Sequence, residues 1–246
     1  MKLQGTPLPW LPNVFDAIAP SYPMLNVQAH LTNLNSGLAS VKLQAEGKWW
    51  TAAQWIENTA SRFRIKPEWI LTVLQKEQSL VKDKTVYPAD YKIERWDGGP
   101  PAGWKYPDPK VMAYRFVRTT GGWYRIYGVW KMCAAAGAGI PDPSVTPPWD
   151  TKDFLGFDKQ VYTIGRLAAR DLDKYERSFA ENRPELRSVQ LYPTADQIAA
   201  AKAAGKSPVG ETVVVEGKSD FVALTWTPYP EGLAGSKAAY KSLGFS

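Results

Sequence analysis

The chain of 246 residues holds one histidine, His30, and one cysteine, Cys133. That scarcity excludes metal sites assembled from several His and Cys ligands, and no disulfide can form within the chain. A Ser-His-Asp or Cys-His hydrolase would have to route all its proton transfer through His30. Carboxylates are therefore the acid–base groups to look for. Long apolar runs are lacking too, since no stretch approaches the roughly 18 uninterrupted residues of a membrane span. The opening MKLQGTPLPWLPNVFDAIAP has no apolar signal core, because Asp16 and several prolines interrupt it. The expectation is a chain with neither an export signal of its own nor a membrane anchor. Concentrated charge is also missing: 30 Lys and Arg against 24 Asp and Glu give a net +6, but no dense basic run.

Aromatics are abundant by contrast, with 11 Trp and 12 Tyr alongside 20 Pro and 19 Gly. Aromatic faces stack on sugar rings and on nucleobases, and they also fill cores, so composition leaves all three uses open. Cys133, next to Met132 and followed by three alanines, reads as a small hydrophobe. His30 reads as an ordinary satisfied side chain with no functional role.

Helical signals dominate the chain. Residues 1 to 48 read as an extended lead-in with at most one helix, around Val27 to Val41. Thr51-Ala-Ala-Gln54 is a capping box, and Ala52, Trp55, Ile56, Ala60 and Phe63 repeat at helical spacing behind it. Pro67 opens the next helix, at a position where its missing N–H costs nothing, and the pattern runs on to about Lys82. A long helix is expected from about Asp158 to Tyr175, with Val161, Ile164, Ala168, Leu172 and Tyr175 on its stripe. Thr194-Ala-Asp-Gln197 is a second capping box, for a helix stopped by Gly205. Thr212 to Val215 reads as a short strand, and Ser219 as the cap of a helix ending before Thr227-Pro228. The segment from Tyr87 to Trp130 reads as loop, with weak helical periodicity at Lys110 to Arg118. The fold class is mainly α (α+β), with a small β component.

The helix opened by Pro67 carries the most chemistry. Ile70, Val73, Leu74, Leu80 and Val81 form its apolar stripe, and at ~100° per residue Glu77 falls within ~20° of Ile70. A carboxylate on an apolar face has to be paired, neutralised or exposed in a cleft, because burying it charged and alone is too costly. A salt bridge to an Arg from elsewhere and a functional acid both satisfy that pattern.

The run Ile65-Lys-Pro-Glu-Trp-Ile-Leu-Thr-Val-Leu-Gln-Lys-Glu77-Gln-Ser-Leu-Val81 resembles the catalytic helix of the lysozyme-like superfamily, in the manner of goose-type lysozymes and soluble lytic transglycosylases. Three later blocks are similar to successive blocks of a bacterial and phage branch, in the same order: Gly137-Ala-Gly-Ile-Pro-Asp142, Gly156-Phe-Asp-Lys-Gln160-Val-Tyr162 and Thr225-Trp-Thr-Pro-Tyr229. The resemblance implies a lysozyme-like helical domain over 51–246, with loop insertions at about 92–130 and 179–210. An N-terminal extension, 1–50, is expected to pack on it. The transglycosylase pattern places Ser directly after the catalytic Glu, whereas Gln78 stands there in this chain.

By that resemblance Glu77 is the general acid that protonates the glycosidic oxygen, with its acidity weakened by the apolar stripe. The implied substrate is the β-1,4 bond between N-acetylmuramic acid and N-acetylglucosamine in peptidoglycan. A second carboxylate is needed for hydrolysis; Asp142 is the leading candidate, with Asp90, Asp97 and Asp158 behind it. A lytic transglycosylase needs none, and hydrolysis and transglycosylation both stay open. Gln160, Tyr162 and Gly139 are assigned to substrate contact, Gln160 and Tyr162 alternatively to orienting Glu77 or to helix-start packing. Trp96, Trp104 and Trp123 are candidates for sugar stacking, whereas Trp226 and Tyr229 read as core. The expected partner is the peptidoglycan glycan strand, with no metal, cofactor or nucleic acid. The expected place of action is the bacterial cell wall, as a phage endolysin, a virion-associated lysin or a mature exported enzyme. A non-catalytic carbohydrate-binding or virion structural protein retaining the fold is the alternative.

Overall fold

The computed structural model describes residues 24–45, 48–86, 92–98, 102, 114–119, 122–127, 130–133, 135–136 and 156–245. The chain divides into two compact units, Tyr22–Gly165 and one that includes Arg166–Ser246. Among the described residues the fold is mainly helical, with small antiparallel sheets.

In the first unit, Asn26 caps helix α1 (Val27–Asn33) by accepting the Ala29 N–H at 2.8 Å. The single helix expected to reach Val41 stops early, because Asn35 takes a left-handed φ of 53° and a short 3-10 turn, Gly37–Ser40, follows. Strands β1 (Lys42–Ala45) and β2 (Lys48–Thr51) pair antiparallel. Thr51 and Gln54 form the expected capping box for α2 (Ala52–Phe63), whose Ala52, Ile56 and Ala60 are buried. Glu57 on α2 accepts the backbone N–H of Val27 at 2.9 Å and so helps hold the start of α1. Helix α2 ends where Arg64 turns left-handed and Ile65 N–H reaches back to the Ala60 carbonyl at 3.0 Å.

Helix α3 (Pro67–Gln78) has Pro67 in its first turn and buries Trp69, Ile70, Leu71, Val73 and Leu74. It ends four residues before the expected Lys82. Ser79 adopts φ 51°, its N–H bonding the Gln75 carbonyl at 2.9 Å and that of Leu80 the Leu74 carbonyl at 3.2 Å. Leu80 and Val81 are buried all the same, by the turn that follows rather than by a continued stripe.

The segment read as loop contains a three-stranded antiparallel sheet of β3 (Lys92–Trp96), β4 (Tyr114–Thr119) and β5 (Gly122–Tyr127) in the order β3-β5-β4. The weak helical reading at Lys110 to Arg118 is thus corrected to strand from Tyr114. Aromatic and β-branched residues favour pleated backbone, and Gly121-Gly122 between two such runs is the signal that was there to read. A single helical turn, α4 (Trp130–Cys133), follows.

Helix α5 (Phe157–Ala180) is longer than its stripe suggested and closes at Asn182, which has φ 52°. Within the first unit α5 approaches α2 at Gly165, where an added Cβ would lie 2.5 Å from Thr59 Cγ2 and 2.6 Å from Phe63 Cδ2.

In the second unit, β6 (Ser188–Gln190) pairs antiparallel with β7 (Thr212–Val214). Between them Thr194 and Gln197 form the second capping box, for α6 (Ala195–Ala203). Helix α7 (Lys218–Trp226) is capped at Gly217, not at the expected Ser219, which lies buried inside the first turn. Helix α8 (Pro230–Ser242) packs on α7. Among the described residues no helix is long and apolar enough to cross a membrane.

Candidate functional site

Glu77 stands in the last turn of α3, just beyond the block that supplies the helix's buried residues. Its side chain is 27% exposed, and its Oε1 lies 3.2 Å from Lys76 Nζ. Burial of the preceding two turns anchors the helix, and the early end at Ser79 leaves Glu77 where the helix surfaces. The carboxylate is thus both partnered and reachable, which reconciles a charged group with an apolar helix. Lys76 was not expected as the partner, since adjacent residues on a helix do not face each other.

Two residues of the block before and within α5 have defined surroundings. Gln160 is completely buried, and its Oε1 accepts the backbone N–H of Ala136 at 3.0 Å, tying the first turn of α5 to the chain around Ala135 and Ala136. Tyr162 is 37% exposed. Its ring meets Phe63 edge-on at 5.0 Å between centroids, and the Arg62 guanidinium lies 5.4 Å from its ring centre. Phe63 was legible as part of the α2 stripe; Arg62 as a ring partner was not. An arginine over an aromatic face adds roughly 0.5–1 kcal/mol at an exposed position and fixes the ring's orientation.

Trp96 and Trp123 occupy directly paired register positions on β3 and β5. Trp104, Gly139, Asp142 and Asp90 lie outside the described residues. Of the remaining carboxylate candidates, Asp97 is exposed just after β3, and Asp158 is half-buried in the first turn of α5. Among the described residues no group of three or more His, Cys, Asp or Glu is placed to hold a metal ion.

Elsewhere, Lys131 Nζ and Asp83 Oδ2 form a largely buried pair at 2.6 Å, and the Asp83 carbonyl accepts the Gly37 N–H at 2.7 Å. In the second unit, Asp171 is buried and held at both oxygens, by Arg170 at 2.8 Å and by the Thr225 hydroxyl at 2.9 Å. These carboxylates have structural partners that account for them. The expectation that Tyr229 is core is overturned: it is 44% exposed. Its position as the extended N-cap residue of α8, between Pro228 and Pro230, holds it outside the helix. No family model, curated protein or solved structure matches the chain.

Proposed function

We propose that the chain is a peptidoglycan-cleaving glycosidase acting on the β-1,4 bond between N-acetylmuramic acid and N-acetylglucosamine, with Glu77 as its general acid. The observation that carries this reading is the placing of Glu77: a partly exposed carboxylate on the last turn of a helix whose Trp69 to Leu74 stretch is buried. The likeness of residues 65–81 to the catalytic helix of lysozyme-like enzymes supports it. So does the order of the later sequence blocks.

In this mechanism Glu77 gives its proton to the glycosidic oxygen as the bond to the anomeric carbon breaks. Hydrolysis then takes the oxygen of a water activated by a second carboxylate, with Asp142 the sequence candidate. In transglycosylation a hydroxyl of the same sugar attacks the anomeric carbon, its proton returns to Glu77, and the product is an anhydro sugar. Tyr162, steadied by Arg62 and Phe63, serves as a substrate contact, and Gln160 fixes the chain around Ala136 from within the core. The reading places the enzyme's work at the bacterial cell wall, where a net +6 favours approach to an anionic polymer.

Clearing of purified sacculi by the wild type and by Glu77→Gln tests the reading. Wild type is expected to clear the suspension and the variant to fail. Equal clearing by both removes Glu77 from the chemistry, and no clearing by either favours a non-catalytic wall-binding role.

A further inference from the structure

Tyr192 and Tyr229 come from distant parts of the second unit and meet at its surface. Their ring centroids are 4.6 Å apart with planes inclined by 31°, and the residues are 52% and 44% exposed. Apolar rings normally reach such contact by entering a core; here two meet while each keeps about half of its surface in water. The frame beneath them is fixed. Tyr192 N–H donates to the Pro228 carbonyl at 2.8 Å, and Gly232 N–H to the Tyr229 carbonyl at 2.9 Å. Gly210 packs so closely on the Leu191 carbonyl that an added Cβ would fall 1.8 Å from that oxygen. The backbone that carries the two rings is therefore held in place before anything stacks on them.

We propose that Tyr192 and Tyr229 form a glycan-binding platform that takes one or two pyranose rings of an N-acetylated polysaccharide, in addition to the site proposed at Glu77. Three features select a sugar. With tyrosines covering about 150–250 Å² each, a half-exposed pair offers on the order of 200 Å². That is far short of the roughly 800 Å² per partner that a stable protein interface buries, and close to what a sugar ring covers. The C–H bonds on a pyranose face carry partial positive charge and suit the negative face of an aromatic ring. Phenol hydroxyls at the ring tips add hydrogen-bonding groups for the sugar's hydroxyl and acetamido substituents.

The inference deepens the glycosidase reading by supplying a second hold on the same polymer, and rests on it for the identity of that polymer. Binding to sacculi and to a soluble tetramer of N-acetylglucosamine is measured on the full chain carrying Glu77→Gln, so that no turnover interferes. Adding Tyr192→Ala and Tyr229→Ala is expected to weaken both interactions about tenfold, while the paired Phe substitutions, which keep the rings, retain most of the binding. Circular dichroism confirms that each variant is folded, and the single Ala variants serve if the double one is not. Unchanged binding in the folded Ala variants overturns the platform, as does a pair that retains oligonucleotides but no glycan, or whose loss changes only the chain's oligomeric state. Wild-type cleavage of sacculi is scored separately. Tyrosine-dependent glycan binding without cleavage retires the enzyme and keeps the platform; cleavage with tyrosine-independent binding does the reverse.

Discussion

His30 shows how one side chain's surroundings set its behaviour. Burial on α1 holds its imidazole below the ordinary value of 6.5, because desolvation disfavours the cation. Below that value the unfolded chain takes up a proton that the folded chain refuses, so this residue costs stability as pH falls through the window beneath 6.5. Comparing urea midpoints at about pH 7.5 and about pH 5.5, wild type is expected to lose more stability on acidification than His30→Gln. Equal losses would contradict the assignment. At Glu77 the residue scale explains what was legible. Its helical angle on a stripe was readable because 3.6-residue periodicity is local. Its pairing with Lys76 was not, because neighbouring residues on a helix do not face each other and only their side-chain rotamers bring Oε1 within 3.2 Å of Nζ.

At the scale of elements, contacts between helices decide stability. Gly165 lies where α5 meets α2, and an added methyl group would press on Thr59 and Phe63. Gly165→Ala is expected to cost about 1–3 kcal/mol in urea unfolding. Gly235→Ala in α8, where an added Cβ meets nothing within 4 Å, is expected to gain about 0.5–1 kcal/mol instead. If both substitutions stabilise, the close packing at Gly165 is refuted. The contact of α7 with α8 has an electrostatic counterpart. Burial raises the Asp220 carboxyl above its ordinary 3.8, against the opposing pull of Lys237 at 3.2 Å. Such a raised acid burdens folding when ionised, and the burden lifts as pH falls toward the unfolded value. Lys237→Met removes the opposing ammonium and is expected to destabilise by about 3 kcal/mol near neutral pH. The deficit should shrink on acidification, as Asp220 takes up its proton. A deficit independent of pH would mean that the lysine acts through packing alone.

Across the whole molecule, what was legible in the sequence is what short stretches decide. Both capping boxes, at Thr51 and Thr194, lie as their four-residue patterns require. The mainly helical class followed from such signals. The sheet of β3, β4 and β5 escaped in part because β5 sets Trp123 and Tyr124 at adjacent positions, which blurs the alternation that marks a strand. The meeting of Tyr192 with Tyr229 escaped because it joins segments remote in the chain and leaves no local trace. The glycosidase chemistry proposed here runs through the carboxylic acid of Glu77, and it predicts activity that survives a chelator. Mass analysis of the soluble fragments released from purified peptidoglycan tests that claim most directly. Wild type, with or without chelator, is expected to release disaccharide units ending in either reducing or anhydro muramic acid, and Glu77→Gln to release none. The same fragments from the folded variant at the wild-type rate would contradict the account.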